Sequence, residues 1–240
     1  YMSGSFAGQL VALSGLGQHD AIQLQKALTG KAAVVQAFPG PFSEGLQGTA
    51  SPQDLETMMQ LVHLHFTAPR NDSSAYESFM MRFRAAIANR DANPEAAFSD
   101  TFSTTLWQRH PRAMPQNLEA LAEIDRNTAF RIFRDRFADA GDFTFVFVGA
   151  FNADSIRPLV EKYIASLPSQ GRVDRPRDTG MRPVQGVVQK TVRRGVEPKS
   201  QTRITFNGPF EYNRDTRLVL ATLVDIMDMK LRDVLREDMG

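Results

Sequence analysis

The sequence predicts an α+β fold assembled from strand-then-helix units, and three observations lead there. Within residues 142–168, DFTFVFVGAFNADSIRPLVEKYIASLP, Phe143, Phe145 and Phe147 alternate with Thr144, Val146 and Val148. A strand here carries apolar groups on both faces and suits the middle of a covered sheet. Gly149 ends it, Asn152 caps the next helix, and Ile156, Leu159, Val160, Tyr163, Ile164 and Leu167 recur at helical spacing, with Pro158 in the early turns and Pro168 closing the end. The same order returns later: residues 187–192 and 202–206 are strand-like, and 213–235 reads as a long helix with Leu220, Leu223, Val224, Met227, Leu231 and Leu235 inward.

The elements before the first unit are mostly helical. Phe6, Leu10, Val11 and Leu13, separated by small residues, predict a buried helix over 5–14 that Gly15 and Gly17 break. Asp20 caps a short helix over 21–28, and Val34 and Val35 mark a strand over 32–38. A turn at residues 39–41 leads to a second extended run, 42–50, so the two are expected to pair as a hairpin. Ser51-Pro52-Gln53-Asp54 combines a capping hydroxyl, a proline at the first helical position and an early acid, and Leu55, Met58, Met59, Val62 and Phe66 form the stripe of the helix it starts. Ser74-Ala75-Tyr76-Glu77 reads as a capping box for a helix to about residue 89. Pro94 starts another to about 107, and Leu118, Leu121, Ile124, Phe130, Phe133 and Phe137 indicate one or two helices over 117–138. Between Pro168 and Val187, glycines and prolines are interleaved with Arg172, Arg175, Arg177 and Arg182 and little is apolar, the composition of a linker.

Composition excludes several functions. The 240 residues are 42% hydrophobic, enough for a core, and 28 Lys and Arg against 27 Asp and Glu leave a net charge of +1, which offers no overall attraction for nucleic acid or an anionic membrane. No stretch approaches the roughly 20 apolar residues that span a bilayer. The absence of cysteine removes disulfides, thiolate catalysis and cysteine-bound metals. Phosphate-loop and dinucleotide patterns and a G-x-S-x-G elbow are missing, and Ser73, Ser74, Ser103, Thr104 and Thr105 have no recognisable base beside them. The start at Tyr1 and the stop at Gly240, inside a helix end, read as those of a fragment.

The strand ending in VG, the aspartate-bearing turn and the K-Y-I-A-S-L-P helix end resemble the pitrilysin/insulinase family of zinc peptidases, the inverzincins. The run GLQGTASPQDLETMMQLVHLHFTAPRND (residues 45–72) and the terminal IMDMKLRDVLREDMG (226–240) extend the resemblance over nearly the whole chain. The resemblance implies repeated lobes of an antiparallel or mixed sheet with helices packed on one face, two halves closing around the substrate, and zinc in the parent protein. It divides the chain into an α/β lobe over 1–168, a linker over 169–186, and the start of a following lobe over 187–240.

The chemistry of such a peptidase needs H-x-x-E-H on a helix, where two imidazoles reach one ion and the carboxylate activates its water. At the expected place the sequence reads Phe6-Ala7-Gly8-Gln9-Leu10, and the four histidines, His19, His63, His65 and His110, lie elsewhere. His63 and His65 point about 200° apart on a helix and cannot share an ion; they read as surface or half-buried side chains. Glu44, Asp54 and Glu56 lack a histidine partner and read as caps. The chain therefore resembles the half that carries no metal and no catalytic residue of its own. In the family that half supplies an arginine from a pattern like L-R-E-x-x-G-x-x-Y, and Leu235-Arg236-Glu237-Asp238-Met239-Gly240 matches its start. The resemblance makes Arg236 a substrate-binding residue; on the residues alone it is a solvated arginine on a charged helix end. The implied function is enclosure and orientation of a peptide or unfolded protein against a zinc-bearing N-terminal half, in a periplasmic or otherwise exported bacterial protein. A catalytically silent peptide-binding or scaffold homologue is the alternative.

Overall fold

The computed structural model describes residues 1–39, 43–90, 93–173 and 175–238, and divides into two units, Tyr1–Val196 and Glu197–Gly240. The first opens with the single turn α1 (Met2–Ser5) and α2 (Ala7–Ser14), then α3 (Ala21–Ala27), β1 (Ala33–Pro39) and β2 (Glu44–Ala50). The helices α4 (Leu55–Thr67), α5 (Ser73–Arg90), α6 (Pro94–Leu106), α7 (Leu118–Ala122), α8 (Arg126–Arg136) and α9 (Ala153–Tyr163) come next. The second unit is dominated by α10 (Arg214–Arg232), which continues as π-helical turns over Asp233–Asp238.

Local chemistry starts and stops these elements as the sequence predicts, with one change. Asp20 accepts from the Gln23 amide in a reciprocal capping box, Ser51 and Asn93 cap the turns led by Pro52 and Pro94, and Asn152 caps α9. For α5 the cap is Asp72 rather than Ser74: Asp72 Oδ1 accepts from the Ala75 amide at 2.9 Å while the Asp72 amide is held by Ser14 Oγ at 3.1 Å. A carboxylate whose own amide is anchored to Ser14 outcompetes the hydroxyl two residues on. Gly15 and Gly17 end α2 at φ of 85° and 59°, a region that a side chain makes costly.

The hairpin forms, with Val35 opposite Gly48 and Ala37 opposite Leu46; residues 40–42 of its connection lie outside the described set. It is the only sheet among the described residues. α4 packs on both strands and on α9, while α2 lies against β1, α5 and α8. Three predicted strands are corrected. Residues 143–148, 187–192 and 202–206 enter no ladder, and Val146 and Val148 are exposed, so 143–148 is covered on one face only. Phe143 and Phe145 turn inward, onto Phe66 at 5.0 and 6.1 Å between ring centroids. The inward stripe expected on α10 is corrected too: Leu220, Leu223, Val224, Met227, Leu231 and Leu235 are all exposed.

Residues 169–186, read as a linker, hold no helix or strand among the described residues, and Asp139 secures their start. This carboxylate is fully buried; Oδ2 accepts from the Arg172 amide at 2.6 Å and Oδ1 from the Gly141 amide at 2.9 Å. The Arg172 N–H above all, helped by Gln170, Gly141 and Ser169, holds its pKa down to about 2 despite burial. A carboxyl depressed in the folded state contributes stability present above its ordinary value and lost as pH falls through the folded one. Asp139→Asn is therefore expected to lower the Tm by several degrees near neutrality and to flatten the acid loss of stability between pH 3.8 and about 2 in denaturant titrations.

Candidate functional site

The first turns of α2, where the resemblance would put a zinc motif, are part of the core. Phe6, Ala7, Gly8 and Leu10 are buried, with Ala7 fully enclosed. The Phe6 ring lies 5.8 Å from Phe79 and 5.2 Å from Phe83, and those two are 5.2 Å apart. A metal-bearing helix must turn one face to a wet cleft where ligands and water can reach the ion. Here the equivalent face meets α5 through three phenylalanines, an environment in which a divalent ion would be desolvated without donors. Among the described residues no cluster of three or more His, Asp or Glu is disposed to hold a metal. The residues present do not fit zinc.

The histidines are structural. His63 Nδ1 donates to the Tyr163 carbonyl at 2.9 Å and bridges α4 to the end of α9. His65 is buried, not surface or half-buried as predicted, and its Nδ1 donates to the Leu61 carbonyl one turn back at 2.8 Å. Desolvation pushes the His65 pKa down, against the raising effect of that bond. Because the unfolded chain takes up the proton first, stability falls as pH drops below about 6.5. His65→Gln is expected to remove part of that acid slope, read as Tm against pH between about 7 and 5. His110 lies at the end of α6: Nε2 donates to the Thr179 carbonyl at 3.0 Å and Nδ1 accepts from the Arg112 amide at 3.2 Å.

A polar cluster on α4 and α9 escapes sequence reasoning. Tyr163, placed with the inward stripe, is half-buried, and its hydroxyl donates to Glu56 Oε1 at 2.7 Å and accepts from Gln60 Nε2 at 3.0 Å. Lys162 Nζ reaches the same Glu56 oxygen at 3.1 Å and sits 4.8 Å from the Tyr163 ring centre. The Tyr163 hydroxyl foremost, then Lys162, holds the Glu56 carboxyl below its ordinary value. Glu56, Gln60 and His63 follow i, i+4, i+7 spacing, which marks one helix face; the partner across it is not legible in that spacing. Glu44 and Asp54, the other two acids read as caps, have different duties. Asp54 accepts from the Ala32 amide and the Ser51 hydroxyl, tying β1 to the start of α4, and Glu44 pairs with Arg136 at 3.6 Å.

Arg236 occupies the π-helical end of the second unit and is exposed. Its helix begins at a capping box between Asn213 and Thr216, and a 2.6 Å ion pair joins Arg232 to Asp228. No other candidate residue belongs to this unit.

The first turns of α2 thus present a buried apolar face, and Arg236 stands exposed at a helix end. Residues 127–240 match the family model of the peptidase M16 inactive domain. Among curated proteins it is similar to the probable zinc protease PqqL of Haemophilus influenzae, 23% identical over 195 residues, spanning 81% of this chain and 20% of that protein. Among solved structures it is similar to the periplasmic protease PqqL of Escherichia coli, with a TM-score of 0.62 and 18% identity over 75% of this chain and 20% of that one. It is also similar to the ferredoxin protease FusC solved with Arabidopsis ferredoxin, with a TM-score of 0.59 and 20% identity over 76% and 20%. At these identities the structural likeness speaks for the fold, and the chain spans about a fifth of the length of these relatives.

The packing of Phe6 carries a prediction. Phe6→Ala is expected to cost roughly 3–5 kcal/mol in denaturant unfolding. Phe6→His is expected to be destabilised and to bind no stoichiometric zinc by metal analysis after gel filtration; tight uptake would show that the position is a latent metal site.

Proposed function

We propose that this chain is the non-catalytic, C-terminal part of a zinc metalloendopeptidase, where it encloses a peptide substrate and orients it against a zinc-bearing N-terminal half that hydrolyses the peptide bond. The observation that supports this reading is the burial of Phe6, Ala7 and Leu10, where the resemblance would put a metal motif, in a chain whose C-terminal 114 residues match an inactive peptidase domain. The fold is retained while the one face that hydrolysis needs has become core. What remains is a scaffold able to cover a substrate, and the partners are a peptide or unfolded protein and the zinc-bearing half.

Arg236 is the residue proposed to touch substrate. A guanidinium at an exposed helix end offers five donors in a rigid fork and can give charge-assisted hydrogen bonds to a substrate carbonyl or to the oxyanion that develops from it. Its value is largest where the carbonyl oxygen gains charge, so its loss acts on turnover more than on ground-state binding. The periplasm is proposed as the compartment, on the similarity to the Escherichia coli protein.

The deciding experiment compares the full-length protein with this chain for zinc content and cleavage of a quenched peptide. The expected outcome is stoichiometric zinc and cleavage in the first and neither in the second. A full-length protein without either would make the parent a silent peptide-binding or scaffold homologue. In the full-length enzyme, Arg236→Ala is expected to lower kcat on the order of 10²-fold with zinc content unchanged; unaltered kinetics would remove Arg236 from the site.

A further inference from the structure

The cations of this chain are unevenly placed. Residues 172–194 hold seven Lys and Arg against two Asp, which leaves 21 against 25 for the remaining residues. A chain of net charge +1 thus carries a strongly positive ribbon on an acidic body. The ribbon has no helix or strand among its described residues, yet it is pinned along its length. The Arg172 amide is held by Asp139, the Thr179 carbonyl by His110, and the Val184 amide by the Leu106 carbonyl at 2.7 Å. At its end Gly195 lies against the start of α6, so close that an added Cβ would come within 2.8 Å of Pro94 Cγ. It therefore runs from the end of α8 to the C-terminal end of α6 and back along that helix.

Two of the seven cations are committed: Arg172 to Asp142 at 3.0 Å and Arg182 to Asp178. Arg175, Arg177, Lys190, Arg193 and Arg194 are exposed and make no ion pair among the described residues. They fall in two groups between points that hydrogen bonds and packing hold to the body, and such tethering lowers the entropic cost of binding. Guanidiniums in an extended row match carboxylates, which accept them in bidentate pairs.

We infer that this ribbon is a docking surface for an extended, acidic segment of a polypeptide. Other polyanions fit less well. Residues 172–194 contain no Phe, Trp or Tyr on which bases could stack, and no Trp, Phe or Leu to enter a lipid interface. The backbone of residues 187–194 lies outside any ladder, leaving amides and carbonyls for a second extended chain. The inference deepens the proposed function by naming a feature of the substrate, and rests on it only for calling the partner a substrate.

The test is fluorescence anisotropy of a labelled Glu-Ser peptide titrated with the 240-residue chain, beside a Lys-Ser peptide, a DNA duplex and phosphatidylserine vesicles. Only the Glu-Ser peptide is expected to bind, and to weaken as salt rises from about 0.05 to 0.3 M. The combined variant Arg175→Glu, Arg177→Glu, Arg193→Glu, Arg194→Glu is expected to weaken it roughly tenfold or more, and the control Arg82→Glu, Arg131→Glu less than about twofold. If the reversed variant does not fold by circular dichroism, the same four positions changed to Gln take its place, with the same direction of effect. No binding, binding insensitive to the ribbon variant, or equal binding of duplex or vesicles overturns the inference. Because cleavage is not measured, such a failure beside an active, zinc-bearing full-length enzyme leaves the proposed function standing.

Discussion

The first unit depends on one aromatic contact chain. Phe66, on α4, meets Phe137 at 5.3 Å and Phe143 at 5.0 Å, and Phe137 stacks on Phe133 at 4.4 Å. Three parts of the chain far apart in sequence, α4, the end of α8 and the extended segment after it, are thereby joined through rings that are buried or half-buried. Each such ring removes a large apolar area from water, and the edge-on and stacked geometries add to that. α4 in turn covers both strands of the hairpin and receives α9. Phe66 thus joins α4 to the end of α8 and to the segment after it.

A second aromatic group, Phe6 with Phe79 and Phe83, closes the first turns of α2 into the core. Burial of α2 on the sides facing α5, α8 and β1 makes that helix a structural hub. The same position cannot serve both as hydrophobic hub and as a solvated metal face, because an ion needs polar donors and a water path while a core needs neither. Polar groups are used at the edges instead. Arg70 donates to the Ser14 and Gly17 carbonyls at the end of α2, Tyr76 donates to the Ile124 carbonyl, and Asp139 gathers the amides of two loops. These bonds satisfy backbone groups that the short helices leave open.

Much of this is legible from local rules. The caps at Asp20, Ser51, Asn93 and Asn152, the break at Gly15 and the hairpin arise from residue types whose preferences act over three or four positions. The expectations that fail are those that need a partner. The alternation of Phe143, Phe145 and Phe147 with valines is a true strand pattern, yet a strand forms only where a neighbour supplies hydrogen bonds, and among the described residues none does. The α10 stripe is real as a periodicity and absent as burial, since a moment shows which face is apolar but not what meets it. The Glu56, Gln60 and Tyr163 cluster is the converse case, a contact between residues about a hundred positions apart that no local pattern announces.

Residue identity and short-range order are enough to set where helices begin and end, to remove thiol chemistry, and to leave the first helix without metal ligands. They also carry the resemblance that the family match bears out. The packing of Phe6 on α5, the burial of His65, and the pinning of a supposedly loose linker at residues spread along it emerge only when the chain is packed. Those outcomes depend on which atoms meet across long sequence separations, and burial, desolvation and hydrogen-bond pairing are set there.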